Sequence, residues 1–368
     1  MFYYILFSIV FFTFLCNILY LIRYYDMKII FFWILAWKNK IKNIKYITIL
    51  NINEIKKILQ LKTKGKFIEY YVATPAWKPI ISLESCDNEE WINVKNNFIF
   101  FISQLKEDNQ LLYQNIDKNL QIYIKENKII DSCIISKIVC LGFCEFLFNY
   151  ILSEYELEIL YQSSLEWRKE IALKGKGNYS TKLNALNIIL KLIKKTEKIH
   201  NIFKDKWVNP EYYSVIMQPF IISPMINIPD IMVNYQVLIN KKKIQINEKI
   251  TQYLIDKIIY SYHPFPILER YDVINNTQYF IPLDSLINYE NYDNNTRMLS
   301  FGYGPRKCVG SQYTYKIMEI LLFQYQKNMC LFDPIKNHKY SGRINDKFNL
   351  YESLYMLYEL FCIIFFRD

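Results

Sequence analysis

Glycine is scarce in this chain, with 8 in 368 residues. Glycine is the residue that lets a backbone turn sharply or be approached closely, so the few present are informative. No glycine-rich phosphate fingerprint occurs, which excludes a flavin or dinucleotide site of that type within the chain. The eight cysteines form no Cys-x-x-Cys zinc pattern. Cys140 and Cys144 stand one helical turn apart in an apolar run, as buried free thiols do. No arginine-rich stripe interleaved with aromatics occurs, so the net charge of +10 does not describe a nucleic-acid surface. The lysines at 241–243 and 194–195 read as solvated faces, and a basic face suits anionic lipid or an acidic redox partner. There is no internal repeat and no long low-complexity linker.

Charge is also missing from residues 1–22. That run is long enough to cross a hydrocarbon layer of about 30 Å as a helix. Arg23, Lys28, Lys38, Lys40 and Lys42 follow it, which puts the bulk of the chain on the cytosolic side. A cleaved signal peptide is the competing reading, but a basic leading region and a small-residue cleavage site are not evident. The second apolar run, 29–37, is too short to span; it suits the membrane interface or a core.

What is present is an ample core composition, with 52 % hydrophobic and 17 % aromatic residues. The excess of Ile, Asn, Lys, Tyr and Phe has the look of an AT-rich coding bias, so many of the 32 tyrosines carry no functional message. Three of the glycines fall in one stretch, Phe301-Gly302-Tyr303-Gly304-Pro305-Arg306-Lys307-Cys308-Val309-Gly310. A helix is predicted over 312–328, from Ile317, Ile320, Leu321 and Tyr325 at helical spacing. A cysteine just before a helix N-terminus is placed where a thiolate is favoured.

This stretch resembles the haem-binding signature of the cytochrome P450 family, Phe-x-x-Gly-x-Arg-x-Cys-x-Gly, at all its fixed positions. The resemblance implies haem b (iron protoporphyrin IX), with Cys308 as axial iron ligand and catalytic centre. It implies Arg306 as partner of a haem propionate and Phe301 beside the sulfur. Gly304 and Gly310 would keep side chains away, so that backbone N–H groups can point at the sulfur. Trp91 and Lys95 resemble the family's Trp-x-x-x-Arg helix, with Lys in place of Arg, and imply further propionate contacts. His263-Pro264-Phe265-Pro266-Ile267-Leu268-Glu269-Arg270 resembles its Pro-rich segment, with Arg270 reaching a propionate. Residues 281–285 resemble the strand turn that follows.

The implied fold is mainly α with small β-sheets, a truncated P450-like fold with an N-terminal transmembrane helix. Its parts are an anchor over 1–22, a poorly matched membrane-proximal segment over 23–90 and a haem domain over 91–368. Residues 91–205 read as mostly helical, with breaks near 107–109, 126–128 and 174–179. The prolines at 210, 219, 224 and 229 argue against one long regular helix. The family's acid–alcohol pair is not found there; Asp230 is the nearest acid. Its Glu-x-x-Arg pair is also missing, since Lys257 and Tyr260 occupy the aligned positions, and Arg297 reads as a remnant of the third partner. Residues 360–367 read as a buried strand.

The resemblance implies a monooxygenase that inserts oxygen from O2 into a small apolar, lipid- or sterol-like substrate. It would sit on an endoplasmic-reticulum-like membrane and take electrons from a separate NADPH-dependent reductase. The alternatives are a P450-like haem binder or peroxide user without monooxygenase activity, and a non-haem membrane protein carrying a relic motif.

Overall fold

The structure is a computed structural model describing residues 13, 37–38, 44–65, 69–105, 109–203, 213–261, 263, 267–283, 292–340 and 349–366. The expected anchor over 1–22 and the apolar run 29–37 lie, but for Thr13 and Trp37, outside the described residues.

Helices dominate. In chain order, those used below are α1 (Ile52–Ile58), α2 (Asn88–Leu105), α3 (Asn109–Lys125), α4 (Ser132–Phe148), α5 (Glu154–Ile171) and α6 (Tyr179–Lys195). They continue with α7 (Ser214–Asn240), α8 (Gln252–Ser261), α9 (Ser311–Lys327) and α10 (Leu350–Phe365). Of the expected breaks, 126–128 follows the end of α3 and 174–179 the end of α5, while 107–108 lie outside the described residues; a further break, at 149–153 between α4 and α5, was not expected. The α6 face with Leu186, Ile189 and Ile193 is buried, as its spacing predicts.

The strands are few. β1 (Lys45–Thr48) runs parallel to β4 (Thr277–Pro282), which pairs antiparallel with β3 (Ile267–Asp272). β2 (Ile130–Asp131) pairs with β5 (Phe332–Asp333). An early strand therefore exists inside the poorly matched 23–90 segment. Its four residues, KYIT, are too few to show alternation.

Helix α4 is hydrophobic nearly all round and is almost wholly buried, as such a helix must be. It packs between α3 and α7. Asp131 caps its start by accepting from the Ile134 N–H at 2.9 Å, and Asn149 ends it in the left-handed conformation.

Helix α7 corrects the expectation drawn from its prolines. It runs through Pro219, Pro224 and Pro229 without a break in helical structure, because Met217–Ile222 adopts a π-helical turn. Pro224 sits in the first turn of the α-helical part, where its missing N–H is tolerated. Pro229 deprives the Met225 carbonyl of its helical donor. Ser136 Oγ replaces that donor from α4, at 2.8 Å. Among the described residues α7 is the one helix long and apolar enough to cross a membrane, yet 67 % of its most apolar window is buried inside the protein. Its apolarity serves the core.

The expected C-terminal strand over 360–367 is instead the end of α10. Ser353, Met356, Leu360 and Ile363 are buried at helical spacing, and Asn349 with Glu352 forms a capping box at the start. Eight residues taken alone hide that period.

Asp230, the nearest acid to the expected proton-delivery position, is held elsewhere. It accepts from Arg168 of α5 and lies 2.6 Å from His338 Nε2. Burial, and then the charge of Arg168, push His338 down to about 3. Asp230 is already matched by Arg168, so a neutral His338 can donate its Nε2–H to it. An unfolded histidine takes up its proton below about 6.5. The group therefore leaves stability untouched above that pH and lowers it as pH falls toward 3. Stability should drop by about 2 kcal/mol between pH 7 and pH 5 from this residue alone. Urea unfolding at both pH values measures it. His338→Gln should flatten the difference, and an unchanged slope in that variant would refute the assignment.

Candidate functional site

Two helical pieces frame the 301–310 loop. A 3-10 turn, Arg297–Ser300, leads into it, and α9 leaves it. Gly302 and Gly304 both adopt positive φ (+73° and +72°), and a second 3-10 turn spans Gly304–Arg306. The Cys308 N–H donates to the Phe301 carbonyl at 2.8 Å, closing the loop. The Phe301 ring meets Tyr315 of α9 edge-on, with centroids 5.0 Å apart.

The loop forms part of the wall of a cavity that opens to solvent. Cys308 is exposed and lines that cavity. Burial pushes its thiol up to about 11. The nearby backbone N–H groups of Gly310 and Ser311 and the charge of Lys307 pull the other way, while the charge of Glu84 adds to the rise. The N–H groups and the lysine are the features that favour an anion at a helix N-terminus.

The two glycines divide their expected role. Gly310 lines the cavity, and a Cβ there would meet no atom within 4 Å. Gly304 does not line it. A Cβ on Gly304 would lie 2.3 Å from the Leu59 carbonyl oxygen, so this glycine serves close packing against the end of α1 rather than access to the sulfur.

Trp91, Lys95 and Arg306, about 210 positions apart in the chain (306 minus 95 is 211), come together at one edge of the cavity. Arg306 lies 4.4 Å and Lys95 Nζ 4.8 Å from the Trp91 ring centroid. Lys95 donates to the Pro305 carbonyl. Arg306 donates to Asp87, to the Lys62 carbonyl and, through two long bonds of 3.5 and 3.4 Å, to the carbonyls of Leu83 and Cys86. Those two bonds exceed the usual N–H···O range and are the ones most readily exchanged for a carboxylate.

Arg270 is placed differently from expectation. It is buried on β3, and its neighbour Leu268 lines the cavity while it does not. Its Nη1 donates to the Glu269 carbonyl at 2.7 Å, and its Nε has no hydrogen-bond partner among the described residues. Burial, and then the nearby Arg306, lower it to about 10.

Two groups escaped the sequence reading. Lys64 is pushed down to about 7 by burial and then by Arg306, and Glu84, in the cavity wall, is pushed up by burial against the pull of Lys64. Nothing local in the sequence marks either. A third, Asp256, was legible as the lone acid of apolar α8. The aligned positions Lys257 and Tyr260 form no ion pair of the Glu-x-x-Arg kind with each other; Tyr260 packs its ring on Tyr292 instead. Arg297 pairs with Asp256, one residue before the aligned position.

The residues present suit a haem. A thiol just before a helix N-terminus faces the cavity, an open glycine lies beside it, and Arg306 and Lys95 stand at the cavity edge, with the unsatisfied Arg270 Nε–H behind the wall. Such a set accepts a planar ligand that brings carboxylates of its own.

From α7 the cavity receives Gln218, Pro219, Ser223, Pro224, Asn227, Ile228 and Ile231, with no carboxylate among them. The Gln218 side chain accepts from the Leu83 N–H at 3.1 Å, and Ser214 Oγ accepts from Ile81 N–H at 2.8 Å.

No protein-family model and no curated protein matches the chain. Solved structures do match it in fold. Cytochrome P450SP alpha (CYP152B1) in complex with (R)-ibuprophen aligns with a TM-score of 0.55 at 10 % identity, over 76 % of this chain and 82 % of that one. The cytochrome P450 enzyme CxnD, for C–S bond formation in chuangxinmycin biosynthesis, gives 0.54 at 15 %, over 75 % and 78 %. P450BioI, in complex with an acyl carrier protein ligated to hexadec-9Z-enoic acid, gives 0.53 at 12 %, over 77 % and 85 %.

Proposed function

From a cytochrome P450-like fold, mainly helical with small sheets, we propose a haem-thiolate monooxygenase acting on an apolar, lipid- or sterol-like substrate. The observation that carries this reading is the Cys308 sulfur, open to the cavity just before the N-terminus of α9. Bound there, haem with a thiolate ligand supplies electron density that favours O–O cleavage.

The chain's own contribution is positional. Cys308 would hold the iron, and the N-terminus of α9 beside it would moderate the charge on the sulfur. Arg306, Lys95 and Trp91, with Arg270 behind them, form the cationic edge that would receive the propionates. Ile228, Ile231 and Ile259 supply apolar wall, which suits an apolar substrate. The acyl chain held in the P450BioI complex fits the same preference. Electrons would come from a reductase, since these residues carry no flavin fingerprint of their own. The uncharged 1–22 run, followed by basic residues, supports a single-pass anchor with the remainder in the cytosol.

One observation favours a second reading, a P450-like haem protein without monooxygenase activity. Helix α7 presents amide and hydroxyl groups to the cavity but no carboxyl, and Asp230 is locked to Arg168 and His338.

Haem reconstitution followed by a carbon monoxide difference spectrum tests both. A thiolate-type Soret band with turnover of fatty acids or sterols, given a reductase, supports the first reading. The same band without turnover supports the second. Protein that takes up no haem refutes both.

A further inference from the structure

We propose that α10 lies along a lipid bilayer, with its outward face set at the boundary between headgroups and acyl chains. The inference needs no haem. It takes its occupant from the anchor reading of residues 1–22, and the test separates the two.

Leu350, Tyr351, Leu354, Tyr358, Phe361 and Phe365 are the exposed residues of α10. At about 100° per residue they share one arc of about 100°. None of them is charged. The helix's two acids, Glu352 and Glu359, fall outside that arc, and Glu352 accepts from Lys174 Nζ at 3.1 Å. The opposite side carries Met356, Leu360 and Ile363, buried in one cluster with Tyr71 and Phe280. Helix α10 is therefore apolar on two faces, and only one of them is buried.

A contiguous apolar face at the surface marks a contact with protein or membrane. Length decides against a span, since a helix of 16 residues is about 24 Å long and the hydrocarbon layer about 30 Å thick. With one face fixed to the protein core, such a helix can lie only in the plane of the interface. Its tyrosines suit that depth, where rings with a polar tip are enriched.

Two observations name the occupant. The first is where the amino-terminal apolar sequence arrives. Lys38 directly follows the apolar 29–37 run, and its Nζ donates to the Ile363 carbonyl in the last turn of α10 at 2.6 Å. The same Nζ stands 4.8 Å from the ring centroid of Tyr71, in the cluster beneath α10. Trp37 beside it is exposed. A run suited to the membrane interface thus ends against the helix that carries the apolar face. The second is area. A strip about 24 Å by 10 Å falls well short of the about 800 Å² that each partner gives a standard dimer interface. A bilayer sets no such minimum, because its contact continues into the amino-terminal runs.

The test is photo-crosslinking of the full chain in phosphatidylcholine vesicles whose acyl chains carry a diazirine, with adducts mapped by mass spectrometry. Neutral lipid is used because the exposed face is uncharged. Adducts should fall on 350–366 and be absent from Phe323 of α9, an apolar side chain of similar exposure (45 % against 47 % for Leu354). Leu354→Glu combined with Phe361→Glu should lose the α10 adducts while those on 1–22 persist. Wild-type adducts on 1–22 alone overturn the proposal and leave the anchor standing. Adducts on α10 without any on 1–22 support it and remove the anchor. Labelling of α10 no stronger than that of Phe323 overturns it. So does a detergent-solubilised dimer that the double variant splits, which would give this face to a second copy. If the double variant does not fold, the wild-type adduct map decides.

Discussion

Cys308→Ala is expected to abolish the thiolate-type Soret band of the reconstituted protein under carbon monoxide. The sulfur faces the cavity just before the N-terminus of α9. Removing it deletes the ligand while leaving the loop's internal Cys308 N–H to Phe301 bond in place. Folding stability should therefore change by less than about 1 kcal/mol, as for a group that packs against little. That separation matters, because loss of the band in a folded protein isolates the ligand from the fold. The other described thiols offer no substitute at the cavity. Cys86 is buried and pushed up to about 12, and Cys140 and Cys144 are buried in α4. A variant that keeps the wild-type band would show that the iron ligand is some other group.

The second large effect is on folding. Gly304→Ala should lose about 3 kcal/mol or more in urea unfolding, from left-handed strain plus overpacking. The new Cβ would approach the Leu59 carbonyl oxygen to 2.3 Å and its carbon to 3.0 Å, both backbone atoms at the end of α1. Backbone cannot swing aside as a flexible side chain does. Gly302→Ala isolates the strain, since its φ is nearly the same but the nearest atom is 3.9 Å away; about 1 kcal/mol is expected. Gly310→Ala should leave stability near wild type, because its φ of −88° suits any residue and its Cβ enters open space. That open space belongs to the cavity, so haem uptake should fall there instead. Equal stability losses at 304 and 302 would contradict the close approach at Leu59.

The cysteine loop was legible because a short motif fixes both residue types and spacing, and the helix after it follows from periodicity. Trp91 and Lys95 were visible as a pair on one helix face, but their meeting with Arg306 depends on tertiary packing. What stayed hidden has three physical causes. The prolines of α7 suggested a break because the π turn that accommodates Pro219, and the Ser136 hydroxyl that replaces the donor lost at Pro229, come from geometry that local propensity does not encode. The last helix was misread because only its final eight residues were considered, short of the capping box that starts it. Asp256 was missed because comparison with the family pattern directed attention to Lys257, one position away, although a lone acid in an apolar helix is itself a signal of a buried partner. The placement of Arg270 just behind the cavity wall, rather than in it, turns on strand register.

Leu83 is held from both sides. Its N–H is bound by Gln218 of α7, and its carbonyl by Arg306 of the cysteine loop. A single amino acid thus acts as a tie rod between the helix and the loop, and its covalent length sets the gap along that edge. The gap can widen only by breaking one of two bonds, and the longer one, 3.5 Å on the Arg306 side, is the weaker. A ligand carboxylate that drew Arg306 away would release the rod at that end and leave it attached to α7.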